Sequence, residues 1–320
     1  MPPFRPLRFL GNPHVQTILA NLWRGPPVRL PSQMHVIRLP DGDALAAHDN
    51  TPLNWRPGDP LVLLVHGLGG CSRSAYLQRL TNQFTAHGLR AVRVDLRGAG
   101  AGAHLARRVY NAACADDVRT VAEFLHAQTP HSPLYLVGYS LGGNIVLNMA
   151  GDAAVTPLPG LRAVAAVSPP VDLLLCSAML ATLPFYDRYY ARNLRRQVEQ
   201  HQARFPHLPV VSFPRPLTMR LFDDLYTAPR GGFADALDYY RRASSLPVIR
   251  HIQVPTFILS ARDDPFIAVE PLEQLQGHAN VQIQLVPHGG HLGFLGRDGA
   301  GGVRWGEQRV AQWILKHAKT

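Results

Sequence analysis

The sequence predicts an α/β protein: one mostly parallel sheet flanked by helices, with a helical insertion late in the chain. Three observations carry this. Short unbroken apolar runs, of which Leu61-Val62-Leu63-Leu64-Val65 is the clearest, read as strands buried on both faces. These runs alternate with stretches of helical period, which implies βαβ units. The alternation stops after Ser168 and resumes near residue 248. The organisation expected is a single domain in three parts: residues 1–168 as a first core segment with an N-terminal arm, 169–247 as a cap insertion, and 248–320 as the second core segment.

The first thirty residues are rich in Pro and Arg and are read as an arm without clear period. Strands over Met34–Leu39 and Ala44–His48 flank Asp41-Gly42, a hairpin signal because both positions tolerate positive φ. After the Leu61–Val65 strand, Ser74–His87 reads as a helix closed by Gly88. A strand over Arg90–Val94, a helix over Ala112–Gln128, a strand over Leu134–Val137, a helix over Leu141–Ala150 and a strand over Ala163–Val167 follow. The insertion holds helical stretches over Phe185–Arg204 and Phe233–Ala243. The core then resumes with strands at Thr256–Ser260 and Val281–Val286, a short helix at Leu272–Leu275, and a last helix over Val303–Lys316.

Composition removes several function classes. The 320 residues are 46% hydrophobic and 17% charged, which argues against a disordered chain or a coiled coil. The net charge of +10 is nearly all arginine, since the only lysines are Lys316 and Lys319, so a P-loop ATPase is out. The arginines are scattered, and the densest group is Arg188, Arg192, Arg195 and Arg196; nucleic acid is not an expected partner, whereas peripheral membrane contact through the cap stays open. Cys71, Cys114 and Cys176 are far apart and odd in number, which suits reduced thiols. No apolar h-region opens the chain and no stretch reaches the roughly 18 apolar residues of a membrane span, so a cytoplasmic location is expected. No metal-ligand spacing occurs, and neither metal nor cofactor is expected.

The sharpest motif is Gly138-Tyr139-Ser140-Leu141-Gly142-Gly143, set between a strand and a helix. That is the context of a nucleophile elbow, where a turn too tight for side chains at i−2 and i+2 lifts a serine above the sheet. Ser140 then needs a base and an orienting acid. Asp263-Asp264-Pro265 and His288-Gly289-Gly290-His291 both fall just past strand ends. Ser140, Asp264 and His291 are the expected catalytic set. His291 is preferred over His288 because its flanking glycines would let the ring swing over Ser140. Asp264 is preferred over Asp263, which would cap the turn or pair with an arginine. The oxyanion donors expected are the N–H groups of Leu141 and of Leu68, in His66-Gly67-Leu68-Gly69-Gly70. His66 is read as structural. Gly98–Ala103 carries a G-x-G-x-x-A, but the acidic residue such a dinucleotide site needs is missing, and a flexible loop bordering the site is the better reading. Leu173, Leu174, Leu175, Met179, Leu180 and Leu183 are candidates to line an acyl pocket.

These motifs resemble those of the α/β-hydrolases. Gly11-Asn12-Pro13-His14-Val15-Gln16-Thr17-Ile18-Leu19, Gly138–Asn144, Asp263-Asp264-Pro265-Phe266 and His288–Phe294 are together similar to the YheT-like group (AB hydrolase 4), with the ABHD1/ABHD3-type animal proteins and yeast acyltransferase/esterases. The resemblance implies a cofactor-free serine esterase acting on short or medium acyl esters. Lipase-like or phospholipase action and acyl transfer are the enzymatic alternatives, and a lipid- or partner-binding pseudo-hydrolase the non-enzymatic one. Two departures from the group stand out: Asp95-Leu96-Arg97-Gly98 where relatives often carry Asn-Phe-Arg-Gly, and no N-terminal anchor of the animal type.

Overall fold

The computed structural model describes residues 2–23 and 25–319. Eight strands form one sheet: β1 (Gln33–Arg38), β2 (Ala44–Asn50), β3 (Leu61–Val65), β4 (Arg90–Asp95), β5 (Leu134–Tyr139), β6 (Leu161–Val167), β7 (Thr256–Ala261) and β8 (Val281–Val286). Their order is β1-β2-β4-β3-β5-β6-β7-β8. β1 and β2 form an antiparallel hairpin, β2 joins β4 antiparallel, and every later pairing is parallel. The carboxyl ends of β3 to β8 therefore share one edge, where ligands of open α/β sheets bind.

Both faces are buried, as the unbroken apolar runs require. In β3, Leu61, Leu63 and Val65 join one core and Val62 and Leu64 the other. Twelve helices are described, in chain order: α1 (Pro13–Leu22), α2 (Ala75–Ala86), α3 (Ala115–Gln128), α4 (Leu141–Asp152), α5 (Leu173–Ala181), α6 (Pro184–Arg204), α7 (Met219–Phe222), α8 (Ala228–Gly231), α9 (Ala236–Ala243), α10 (Leu246–Ile249), α11 (Glu270–Gln274) and α12 (Trp305–His317). Leu77, Leu80 and Phe84 of α2 and Trp305, Val310 and Ile314 of α12 cover the Val62 face; Val118, Val121 and Leu125 of α3 and Ile145 of α4 cover the other. α5 to α10 all lie between β6 and β7 and add no strand. No helix among the described residues is long and apolar enough to cross a membrane. The three cysteines are free, and burial pushes the thiols of Cys114 and Cys176 up to about 12.

Three local readings need correction. The N-terminal arm holds helix α1, opened by Asn12, whose side chain accepts from the N–H groups of His14 (2.9 Å) and Val15 (3.2 Å), and by Pro13 in its first turn. The 112–114 segment is a turn rather than the start of α3: Asn111 accepts from Ala113 N–H through its side chain and from Cys114 N–H through its carbonyl. The Gly98–Ala103 loop runs into a short 3₁₀ turn, Gly100–His104, wrapped around a buried carboxylate. Asp95 accepts from the N–H groups of Ser72 (2.5 Å) and Ala101 (2.9 Å) and from His48 Nε2 (3.0 Å). A Cβ on Gly100 would lie 2.3 Å from that carboxylate.

A buried ion cluster locks the hairpin to the sheet. Arg97, just past β4, donates to both oxygens of Asp117 on α3 (2.6 and 2.7 Å) and to Asp41 (2.7 Å) and Asp43 (2.6 Å) in the β1–β2 turn. Burial works against this cation, but the bonds and charge of Asp117 and Asp41 outweigh it and hold the guanidinium well above its ordinary pKa. Arg97→Ala leaves Asp117 buried without its counter-charge and Asp43 with Arg107 alone, an expected loss of about 3–5 kcal/mol in urea unfolding. Arg242→Ala, which breaks an exposed pair with Asp238 and a stack over Phe233, should shift the urea midpoint far less in the same assay.

Candidate active site

Ser140 sits between β5 and α4 at φ +51°, a strained value for a residue with a side chain. The strain is enforced by close backbone contacts. A Cβ on Gly138 would lie 2.2 Å from the Gly142 carbonyl oxygen, and one on Gly142 would lie 2.5 Å from the carbonyl oxygens of His66 and Val65. Asn144, one turn into α4, fixes the elbow helix to the end of α9: its amide donates to the Ala243 carbonyl (2.8 Å) and its oxygen accepts from Ser245 N–H (2.9 Å).

The structure brings Ser140, His291 and Asp264 into one hydrogen-bonded line. His291 Nε2 is 2.9 Å from Ser140 Oγ, and its Nδ1 is 2.9 Å from Asp264 Oδ2. The other Asp264 oxygen accepts from Phe266 N–H (3.0 Å) and Ile267 N–H (3.2 Å), so the carboxylate is buried and its orientation fixed. With Nδ1–H pointing at a carboxylate, Nε2 is left free to accept from the serine hydroxyl. Phe266 meets the imidazole edge to face at 4.8 Å.

Among the described residues, Asp263 neither caps its turn nor meets an arginine. Its Oδ1 accepts from Gly290 N–H (2.9 Å), and Oδ2 lies 3.4 Å from His288 Nδ1, so the residue beside the acid grips the histidine loop. The His288 side chain is largely exposed.

The glycines of the histidine loop have another purpose than mobility. A Cβ on Gly290 would lie 2.2 Å from the Pro13 carbonyl oxygen, and one on Gly293 would lie 2.8 Å from Gln16. They make room for α1. Thr17 Oγ1 accepts from His291 N–H (2.9 Å) and donates to the Pro13 carbonyl (2.8 Å). Buried Gln16 accepts from Leu295 N–H (2.7 Å) and donates to the carbonyls of Leu10 (2.7 Å) and Leu295 (3.2 Å). The sequence named Gln16 and Thr17 only within the Gly11–Leu19 motif and gave neither a role. The signal for the helix was the Asn12-Pro13 start placed before them.

His66-Gly67-Leu68 lies directly against the elbow: a Cβ on Gly67 would be 3.0 Å from Ser140 Cβ. The amides on either side of Leu68 are engaged. Gly67 N–H donates to Tyr76 Oη (3.0 Å) and Gly69 N–H to Tyr110 Oη (2.7 Å), and Tyr110 donates back to the Gly67 carbonyl (3.1 Å). Among the described residues the Leu68 N–H has no acceptor. Leu141 is the first residue of α4, where an N–H has no intrahelical partner. His66 accepts from Leu96 N–H through Nε2 (3.2 Å), which leaves Nδ1–H to donate to the Gly67 carbonyl (2.8 Å). Complete burial pushes its pKa below the ordinary 6.5 and keeps the ring neutral.

Of the side chains considered for an acyl pocket, Leu173 is buried, Met179 packs beside Cys176, Ile267 and Ala268, and Leu174 and Leu175 are exposed.

Residues 60–298 match the family model for the alpha/beta hydrolase fold. The chain belongs to the α/β-hydrolase family. Within it, the chain is 32% identical to YheT of Escherichia coli (strain K12), over 98% of this chain and 93% of that protein. It is 28% identical to Phospholipase ABHD3 of Homo sapiens, over 84% of this chain and 68% of that one. The chain is thus an α/β-hydrolase of the YheT/ABHD type. The fold is also that of the Pyrobaculum calidifontis esterase, with a TM-score of 0.61 at 18% identity, covering 95% of this chain and 90% of that one.

Gly290→Ala combines a positive φ with a clash against α1, so the helix should detach from the histidine loop. The expected result is a loss of about 1–3 kcal/mol in thermal or urea unfolding, with limited proteolysis newly cutting within residues 10–23. Wild-type resistance there would contradict the docking role given to this glycine.

Proposed function

We propose that this α/β-hydrolase is a serine hydrolase that cleaves carboxylic esters of short or medium acyl chains through an acyl-enzyme on Ser140. The observation that carries the reading is the His291 ring held at 2.9 Å from both Ser140 Oγ and Asp264 Oδ2. In this mechanism His291 takes the hydroxyl proton as Ser140 attacks the ester carbonyl. Asp264 holds the productive tautomer and stabilises the imidazolium. The N–H groups of Leu68 and Leu141 receive the oxyanion, each worth about 10²–10³ in rate. The imidazolium then protonates the leaving alcohol. Water, activated by the same ring, attacks the acyl group and releases the acid.

The region 169–247 acts in this proposal as a cap over the acid loop. Tyr186 and Tyr190 of α6 meet Phe266 edge to face at 4.8 and 5.9 Å, beside the ring of His291. A glycerolipid ester is a second substrate reading, supported by the relationship to a phospholipase at 28% identity.

A fluorophosphonate probe should label the wild-type chain and leave Ser140→Ala unlabelled, with hydrolysis of p-nitrophenyl esters falling about 10⁴-fold or more in the variant. Equal labelling of both proteins would overturn the assignment. An acyl-chain series, extended to a phosphatidylcholine, separates the two substrate readings: turnover peaking at short or medium simple esters supports the first.

A further inference from the structure

Helix α1 is built inside out. Its inward side carries Gln16, Thr17 and Ala20, committed to the histidine loop or buried. Its outward side carries Val15, Ile18, Leu19 and Leu22, spaced as one helical stripe and 36%, 44%, 37% and 68% exposed. Surface helices of globular proteins show the opposite arrangement. The polar clamp explains the inward side and leaves the apolar stripe unexplained.

A second stripe begins where this one ends. His14 Nδ1 and Tyr186 Oη of α6 are 2.9 Å apart, with the two rings stacked at 5.5 Å. From that contact α6 exposes Phe185, Arg188, Tyr189 and Arg192 along one face. Among the described residues neither of these arginines has a carboxylate partner. The one acid of this part of α6, Asp187, is buried and accepts from Met219 N–H (2.8 Å). α1 itself carries no acid. The joined surface is therefore apolar and aromatic with cations only.

We infer that this surface seats the protein on an anionic lipid bilayer, with the α1 stripe and Phe185 in the interface and Arg188 and Arg192 against lipid phosphates. Exposed aliphatic and aromatic side chains beside unpaired arginines are the composition of an interfacial helix, and an anionic membrane surface supplies the complementary charge. A second copy fits less well. A two-fold contact through this patch would set its arginines against one another with no acid to receive them. The surface adjoins the serine line through Tyr186, Phe266 and His291, each ring 4.8 Å from the next. Seating here would thus hold the site at the lipid boundary.

The test is flotation of the full chain with vesicles of phosphatidylcholine mixed with phosphatidylglycerol, against phosphatidylcholine alone. Wild type should float with the anionic vesicles, and less so as salt rises. Ile18→Ser/Leu22→Ser and Arg188→Glu/Arg192→Glu should each lower the bound fraction about tenfold. Unchanged melting temperatures would show both variants folded, since all four side chains are exposed. No flotation of wild type, or equal flotation of all three, would overturn the inference. So would a wild-type dimer that the α1 variant dissolves without any vesicle binding. The Ser140→Ala chain should float like wild type, so failure of the hydrolytic reading and failure of this one are told apart.

Discussion

The 2.9 Å hydrogen bond between Ser140 and His291 sets the tolerance for everything around it. The two residues are 151 positions apart and leave different strands of the sheet. An error of about 1 Å in either loop would break the contact on which the proposed activation of the hydroxyl rests. Each partner is accordingly held from several directions. Ser140 is held by a turn with no room for a side chain at Gly138 or Gly142, and by Asn144 tied to the end of α9. His291 is held by Asp264 at its ring, by Thr17 at its own amide, and by Asp263 through Gly290. The positive φ of Ser140, and of Leu292 just after the histidine, is tolerated because these neighbours over-determine the backbone.

The remaining architecture supplies rigidity to those loops. The parallel strands β3, β5, β7 and β8 deliver the Leu68 turn, the elbow, the acid pair and the histidine to one edge. On the other side of the elbow, the Asp95 and Arg97 clusters gather the β1–β2 hairpin, α3 and the 3₁₀ turn around the end of β4. His66 connects this region to the site, bonded to Leu96 N–H on one side and to the Gly67 carbonyl on the other. Asp95 and Arg97 hold neighbouring backbone and carboxylates in place, a structural role.

Much of the core was legible in the sequence because local physics and global fold agree there. Strands such as Leu61–Val65 are apolar on every residue since both faces are covered, and the elbow is readable because backbone contacts forbid side chains at two fixed positions. Legibility ended where a residue's partner is far along the chain. Asp263 gave no sign that it would grip the amide of Gly290, and Asp41, Asp43 and Asp117 gave none that they would meet on Arg97. Helix α1 was hidden for a different reason. Its apolar residues point out and its polar residues point in, so the usual inference from period to buried face inverts. Gly290 and Gly293 were legible as glycines but not in purpose, because both make room for α1.

The central claim is that Ser140 carries the acyl group. Rapid acid quenching during turnover of a p-nitrophenyl ester, followed by peptide mass spectrometry, tests it directly. The account predicts a mass increase equal to the acyl group on the peptide containing Ser140, absent when His291 is replaced by alanine. Turnover by the wild-type chain with no adduct on that peptide, or with the adduct on another residue, would contradict it.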